Sequence, residues 1–347
     1  MSDSKEIIQA RLLSNVDDKY DKTEGSFFYD AEKPVSIELE TAYAKQDEIL
    51  NKGFADTATD VYLDRIIGER GMARKQATYA TTTVQITGTE NAVINIGDKV
   101  ATDLINFSAL ESVTIGVTGI ALVNVQADIS GNGANVPVSA IKYFPVTLAG
   151  VVSVTNLVAV TNGYNGETDA ELRIRYFEFV RTPATSGNVA HYKNWAKEVV
   201  GVGDARVNSL WAGNGTVKVI IINSNKRGAD ATLIADTATH IEDERPIGAT
   251  VTVVSATEKA INITVTLVID IDNYTLEDIT SAIEANLIEY FKTIAFINTY
   301  VSYASVGNII FNTDGVIDYN NLLVNTDTAN ITINDDEVAV LGGVVVG

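Results

Sequence analysis

Cysteine is absent from this 347-residue chain, so no disulfide can staple it and no thiolate can serve as nucleophile or metal ligand. That absence does not locate a compartment, because cysteine-free chains occur on both sides of a membrane. Histidine is scarce as well. The two present, His191 and His240, fall on separate predicted helices with no second histidine or cysteine at metal-ligand spacing, and they read as packed or solvated side chains rather than a site. Cations are few: 25 Lys and Arg against 45 Asp and Glu give a formal net charge of −20. Phosphate contacts need clustered basic side chains, so nucleic acid is not an expected partner. No apolar run approaches the ~20 residues of a membrane helix, and the opening MSDSKEIIQARLL lacks the basic and apolar pattern of a signal peptide. Membrane insertion is not expected, and synthesis and assembly in the cytoplasm are.

Signatures of chemistry are missing in the same way. No GxSxG elbow and no HExxH helix occurs. The pairs Gly201 with Gly203 and Gly213 with Gly215 lack the third glycine of a dinucleotide loop and the lysine of a phosphate loop, so both read as turns. Asp128, Ser130, Asn132 and Gly133 open like a calcium loop, but the twelfth position is Ser139 rather than a bidentate glutamate, which favours a glycine-rich turn. Asp270 and Asp272 share a predicted strand face without any convergent group. Asp335, Asp336 and Glu337 form an acidic run of the kind that is usually a solvated loop. No enzyme activity, cofactor or metal is expected.

What is present describes an ordinary soluble chain: 46% hydrophobic and 20% charged residues, long enough for roughly two to three domains. The periodicity divides it into four regions of an α+β multidomain fold. Residues 1–80 form a helical N-terminal arm, with helical spacing over Pro34 to Asn51 and Val61 to Arg70. Residues 81–162 form a β-rich insert domain of short apolar or alternating runs (Thr83 to Thr87, Val113 to Val117, Ile120 to Val125) between glycine turns. Residues 163–257 form an α/β core. Residues 258–347 form a C-terminal α+β unit, with a strand at Ala260 to Ile271, a long helix at Leu276 to Ile294 capped by Thr275, and short strands beyond Thr299. The last two regions are thus two small α/β or α+β units.

The 163–257 region carries the densest local signals. Thr168 with Glu171 forms a capping box. Leu172, Tyr176, Phe179 and Val180 then make an apolar stripe, with Arg173, Arg175 and Glu178 to the other side and a stop at Pro183. A second helix starts at Ser186, Gly187 and Asn188, presents Val189, Tyr192, Trp195, Ala196, Val199 and Val200 on one face, and closes at Gly201 and Gly203. Ala205 to Trp211 and Thr216 to Ile222 flank a Gly/Asn turn and read as a hairpin. Thr232 to Glu244 is an amphipathic helix stopped by Pro246, and Ala249 to Val254 reads as a buried strand. Trp195 sits mid-stripe and is assigned to the core, whereas Trp211, beside a glycine turn, is open either to a partner or to capping the local core. Arg173, Arg175 and Arg206 are cations in an acidic chain, suited to carboxylates within the fold or across a subunit boundary.

These residues resemble the baseplate J-like proteins of contractile phage tails and phage-tail-like bacteriocins. The resemblance rests on a GxTDxxLRxR-like start (Gly166 to Arg175), then SGN, HY and WA (Ser186 to Ala196), VxGVGxARV (Val199 to Val207), WxGxGTV (Trp211 to Val217) and RPIGAxVTV (Arg245 to Val253). Upstream it runs through EGSFFYDA (Glu24 to Ala31), TATDVYLDRIIGERGMARKQATYA (Thr57 to Ala80) and SGNGANVPVSAI (Ser130 to Ile141), and it weakens after about residue 258. It implies a baseplate wedge protein whose copies form a ring around the tail hub and couple receptor-triggered rearrangement to sheath contraction. The implied partners are other wedge proteins, further copies of itself, a sheath initiator and a downstream tail protein. Family-motif and candidate interface residues are Gly166, Asp169, Arg173, Arg175, Gly187, Trp195, Gly201, Arg206, Trp211, Gly213, Pro246 and Gly248. The Thr, Asn and Gly-rich strands of 81–162 leave a second reading, a surface or secreted β-rich adhesin or glycan-binding module, which the missing signal pattern disfavours.

Overall fold

The computed structural model describes residues 3–182, 185 and 187–347; the stop expected at Pro183 and the start expected at Ser186 lie outside them. The architecture is α+β and multidomain, in two compact units: Met1–Arg74 with Glu167–Arg181, and Lys75–Gly166 with Thr182–Gly347.

The first unit is helical: α1 (Lys5–Ser14), α2 (Phe27–Gly53), α3 (Asp60–Gly68) and α4 (Asp169–Arg181). Pro34 does not start α2. The helix begins at Phe27, where the Ser26 hydroxyl accepts from the Tyr29 amide, and Pro34 lies inside it. Proline costs an interior helix one hydrogen bond, so the cap and the long flanking run outweigh it here. Helix α4 sits at the head of the expected 163–257 region in sequence, yet it packs on the N-terminal helices. Leu172 is fully buried with Ala55, Ala58, Leu63 and Ile67, and Tyr176 and Phe177 close the cluster. The capping box forms as read: the Thr168 amide donates to Glu171 Oε2 at 2.9 Å and the Glu171 amide to Thr168 Oγ1 at 3.3 Å. The stripe is corrected in two places, since Val180 is exposed and Arg175 is buried.

The second unit opens with β1 (Tyr79–Gly88), β2 (Val93–Ile94), β3 (Lys99–Ala101), β4 (Asn106–Ala109), β5 (Val113–Thr114), β6 (Ile120–Ser130) and β7 (Val151–Asn156). Five of them form a sheet in the order β3-β4-β6-β1-β7, and β2 pairs with β5. Period-2 alternation decides which face is filled. Val84 and Ile86 of β1 and Val123 and Val125 of β6 pack with Phe107, Ile115 and Ile141, while Thr81, Thr83 and Asn124 stay outside. A buried polar hub, invisible in the sequence pattern, holds the returning loops: Asn156 accepts from the Ile141 amide at 3.0 Å and donates to the carbonyls of Pro137 and Val158.

Next come α5 (Val189–Glu198), β8 (Val202–Ser209), β9 (Thr216–Asn223), α6 (Ala231–Glu244) and β10 (Thr250–Ser255). The sheet order is β10-β9-β8, with β9 antiparallel to β8 and parallel to β10. Strand β9 reads as a continuous apolar run because both faces are covered. Val219 and Ile221 pack with Tyr192, Trp195, Leu233 and Ile241 of the helices, and Ile220 and Ile222 pack with Val338 and Val340. Of the stripe expected on and just after α5, Tyr192, Trp195 and Ala196 are buried and Val199 packs partly buried beside them, whereas Val189 and Val200 are exposed. Strand β10 is half-buried rather than buried, because it is an edge strand. Gly203 is not a helix stop. It lies in β8 at a register shift, where a Cβ would collide with the Asn223 carbonyl.

The chain ends in β11 (Thr257–Ile269), α7 (Leu276–Ile294), β12 (Tyr300–Val301), α8 (Tyr303–Phe311), β13 (Val316–Val324), β14 (Ile331–Thr332) and β15 (Glu337–Val346). Strand β11 is central, antiparallel to β13 and parallel to β15. Its Ile261, Ile263 and Val265 pack with Ile279, Ile283, Leu287 and Phe291 of α7, and the Thr275 cap forms as expected. Helix α8 falls where short strands were expected. Its β-branched residues and Gly307 are poor helix formers, but the Ser302 hydroxyl caps it, and Gly307 leaves room for the Tyr319 ring hydroxyl. Asp270 and Asp272 lie in the turn after β11, where Asp270 accepts from the Asp272 amide and from Asn273, and so do not share a strand face.

Gly203→Ala is expected to destabilise the chain by about 1–3 kcal/mol, because the added methyl meets backbone that cannot rotate away. Gly343→Ala, with nothing within 4 Å of the added atom, is expected to stay within about 0.5 kcal/mol. Chemical denaturation of the two variants measures the difference.

Candidate functional site

Gly166 ends the preceding stretch of the other unit, against Ala77, and from Glu167 to Arg175 the motif belongs to the helical unit. Arg175 makes a bidentate pair with Glu167, Nε to Oε1 and Nη2 to Oε2 both at 2.7 Å, and Nη2 also donates to the Ala73 carbonyl at 2.7 Å. Both side chains are buried. Arg173 donates to the carbonyls of Ala55 and Ala58, in the loop between α2 and α3, at 2.7 and 2.8 Å. Arg74, which the sequence reading did not single out, donates to Asp64, to the Glu167 carbonyl and to Asp169. Asp169 also accepts from the Asp60 amide at the start of α3. That backbone hydrogen bond, joined by the Arg74 guanidinium, holds the Asp169 carboxyl below the usual aspartate range. All these motif cations are thus engaged within their own unit, Arg173 by carbonyls rather than carboxylates.

The second motif is held by close contacts. Gly187, at φ +72°, leaves space for the Pro246 ring. Its amide donates to His191 Nδ1 at 3.2 Å, and the His191 ring stacks on Trp195 with centroids 4.0 Å apart. Trp195 is a core residue, as its place on the stripe indicated. Gly201, at φ +97°, faces the Tyr164 ring and Leu233 at distances a Cβ would not tolerate. Burial pushes the Tyr164 hydroxyl pKa up, and among the described residues that oxygen finds no hydrogen-bond partner. Arg206 donates to the Asp335 carbonyl at 3.0 Å and stacks on the Phe296 ring at 4.6 Å. The acidic run is therefore anchored through its backbone, the Asp336 carbonyl accepting from the Thr257 amide.

Trp211 is the exposed counterpart of Trp195. The turn from Leu210 to Gly215 and the loop from Arg245 to Ala249 meet where the Thr250 amide donates to the Gly215 carbonyl at 2.8 Å. Together they present Leu210 at 62% exposure, Trp211 at 48% and a fully exposed Ile247. Leu210 is held at φ +57°, a conformation that costs a bulky residue of order 1 kcal/mol and persists only where its surroundings impose it. The Lys218 ammonium lies 5.6 Å from the Trp211 ring centroid. Gly213 and Gly248, at φ +111° and +88°, let the two loops turn. An exposed tip of Leu, Trp and Ile beside a cation suits a protein partner.

Groups able to do chemistry do not converge. Among the described residues no cluster of three or more His, Cys, Asp or Glu is placed to hold a metal. Asp128 pairs with Lys99 and Ser108, and His240 with Glu198. A recess of about 420 Å³ on the β-rich portion is lined by Thr81, Thr83, Leu110, Glu111 and Asn124. Its polar groups already satisfy one another, Thr83 bonding Asn124 and Glu111 accepting from the Asn124 amide.

Three family models match in sequence order: the Baseplate J-like protein barrel domain over 83–163, the Baseplate J-like central domain over 184–255 and the Baseplate J-like protein C-terminal domain over 261–347. The chain belongs to the baseplate J-like family. Phage-like element PBSX protein XkdT of Bacillus subtilis is 32% identical to it over 347 residues, 98% of this chain and 96% of that protein. Baseplate protein gp47 of Escherichia phage Mu is 29% identical over 206 residues, 55% of this chain and 57% of that one. A chain in the solved anti-feeding prophage baseplate aligns over 98% of this chain and 97% of its own, at 11% identity and a TM-score of 0.39, a likeness too distant to inform the fold. As a baseplate J-like protein the chain is a structural component of a phage baseplate. The three matched ranges leave out residues 1–82, 164–183 and 256–260, and the first two of these contain the whole helical unit, so the arginine-clamped part of this baseplate J-like chain lies outside those models.

Two outcomes follow from the clamp. Glu167→Gln leaves Arg175 buried without its counter-charge and is expected to cost about 3–5 kcal/mol, while Arg175→Met combined with Glu167→Leu recovers most of that loss; denaturant melts of the three chains check this. Asp169 has a folded pKa below its unfolded one, so its stabilisation is present at neutral pH and is lost as pH falls below about 4, through the depressed value. Helix content followed by circular dichroism is expected to fall less steeply through that window in Asp169→Asn than in the parent.

Proposed function

We propose that the chain is a baseplate wedge component of a contractile tail, whose copies join into a ring around the tail hub and whose rearrangement after receptor contact releases sheath contraction. Its partners in this reading are other wedge proteins, further copies of itself, a sheath initiator and a tail protein encoded downstream, all assembled in the bacterial cytoplasm before the particle is complete. The observation that carries the reading is the exposed tip of Leu210, Trp211 and Ile247. Trp211 and Ile247 fall in two of the stretches that carry the family resemblance, Leu210 beside them is held in a left-handed conformation, and the tip keeps three large apolar side chains in water. Such a patch contributes nothing to the stability of an isolated chain and gains by burial against a neighbour.

Separate compact units and small cores supply several moderate interfaces, which a ring that changes partners on contraction requires. The tip, the family assignment and the absence of any convergent catalytic group among the described residues all support assembly over turnover.

Deleting the gene from the producing strain is expected to abolish contractile tails, and complementation to restore them; normal contractile tails without the gene would reject the wedge role. Trp211→Ala combined with Ile247→Asp is expected to leave chain stability within about 0.5 kcal/mol of the parent, yet to lower incorporation into particles at least ~30-fold, the loss of a hot spot worth about 2 kcal/mol. Quantitative immunoblotting of purified tails reads the incorporation.

A further inference from the structure

The C-terminal sheet has two edges of opposite character. Strand β13 carries Asp318 and Asn320 and holds Asn321 at φ +54°, the charge and irregularity that keep an edge from pairing. Strand β15 has no charged residue and no proline from Val338 to Val346, and its one register shift, at Gly342, lies before the regular stretch from Gly343 to Val346. Its first half is covered, Val338 and Val340 packing on Ile220 and Ile222. Its second half is open, and Val345 is 64% exposed.

The backbone there has a definite pattern. The pairs Ile263 with Val344, Thr264 with Val345 and Val265 with Val346 fix a parallel register, and the Gly347 amide donates to the Val265 carbonyl at 2.9 Å. A parallel ladder alternates, so Val345 gives both its N–H and its C=O to β11, while Val344 and Val346 point both of theirs away from the sheet. No hydrogen bond within the described chain takes up those four groups. They alternate donor and acceptor along the edge, so a second copy of the strand related by a twofold axis through Val345 can meet them. An antiparallel twin strand laid along the edge would pair Val344 of each copy with Val346 of the other in four hydrogen bonds, and would set the two Val345 side chains against each other. In a chain of net charge −20, this uncharged edge is also where a second equally acidic copy meets least repulsion.

We infer that the outer edge of β15 at Val344–Val346 is a self-pairing site, at which a second copy of this chain adds its own β15 antiparallel about Val345. The site deepens the ring reading above by naming one contact between copies. Three residues of overlap form a small contact, one that acts where other interfaces already raise the local concentration of copies.

Because the chain has no cysteine, a single introduced thiol reports directly. Opposed residues at a non-hydrogen-bonded antiparallel position lie about 4.5 Å apart at Cα, within disulfide range. Under mild oxidation of the purified chain and of intact tails, Val345→Cys is expected to give a covalent homodimer at least ~10-fold more abundant than Ile317→Cys, placed on β13 at a comparable 59% exposure. Val344→Pro or Val346→Pro in the Val345→Cys background removes an outward N–H without touching the ladder to β11. Each is expected to lower the cross-link yield at least ~5-fold; both valines also pack on the C-terminal core, so the comparison is made below the melting transition of each variant. Equal yields from Val345→Cys and Ile317→Cys, no homodimer in either preparation, or a Val345→Cys product that mass spectrometry identifies as a cross-link to another tail protein would overturn the site. A Val345→Cys chain present in baseplates but never joined through its thiol defeats the edge alone; joined chains that are missing from baseplates defeat the ring reading alone.

Discussion

The helical unit depends on one buried ion pair. Arg175 and Glu167 close on each other in two parallel hydrogen bonds, and Arg175 reaches in the same stroke to the carbonyl of Ala73, 102 residues earlier in the chain. A buried guanidinium without a counter-charge is strongly destabilising, so the pair forms only if the chain returns to the place it left. Arg74 reinforces this by binding the Glu167 carbonyl and Asp169, and Arg173 by binding the carbonyls after α2. Helix α4 is thereby fixed against α3 by polar contacts around a small apolar centre of Leu63, Ile67 and Leu172. That core alone is modest for a unit with a 27-residue helix, which explains why so many directional bonds converge on it.

Elsewhere cohesion comes mainly from apolar burial. Strand β9 joins the two C-terminal portions because its successive side chains serve different neighbours, Val219 and Ile221 the helices and Ile220 and Ile222 the end of the chain. Arg206 seals the same junction from outside by stacking on Phe296 and binding the backbone of the acidic run. The division of labour is consistent: motif residues inside make the scaffold rigid, and the Leu210, Trp211 and Ile247 tip remains in water on loops that the scaffold positions. A structural protein that binds by such a tip needs fixed loops more than a pocket, because ordering a mobile loop on binding would subtract from affinity.

Much of this was legible in the residues, and the failures have physical causes. Capped helices announced themselves: the Thr168 with Glu171 box and Thr275 cap are local chemistry, and local chemistry survives folding. The hairpin around Gly213 and the core role of Trp195 were equally local. Helix α8 was missed because its propensity is poor and its packing against Tyr319 is tertiary. The α2 start was misplaced because Pro34 imitates a helix start, whereas the deciding signal was Ser26. Burial of Arg175 inverted the expected stripe, since the periodicity counts an arginine as solvent-facing and cannot see a glutamate waiting in the fold. The placement of α4 with the N-terminal helices was hidden for the same reason, as nothing in a contiguous reading marks a segment that packs across a hundred residues. Asn156 lay in no motif, and Arg74 lay in the Thr57 to Ala80 stretch without a periodic position to mark it; a buried asparagine and a single arginine acquire roles only from what surrounds them.

The central claim is that Arg173 and Arg175 are internal clamps and that the exposed tip of Leu210, Trp211 and Ile247 is the docking surface. A side-chain-resolution electron cryomicroscopy map of the intact tail baseplate tests it most directly. The account requires Arg173 and Arg175 to contact only their own chain, at the Ala55, Ala58 and Ala73 carbonyls and Glu167, with Leu210, Trp211 and Ile247 buried against a different chain. Arginines reaching across to a neighbouring chain, with the tip left facing solvent, would contradict it.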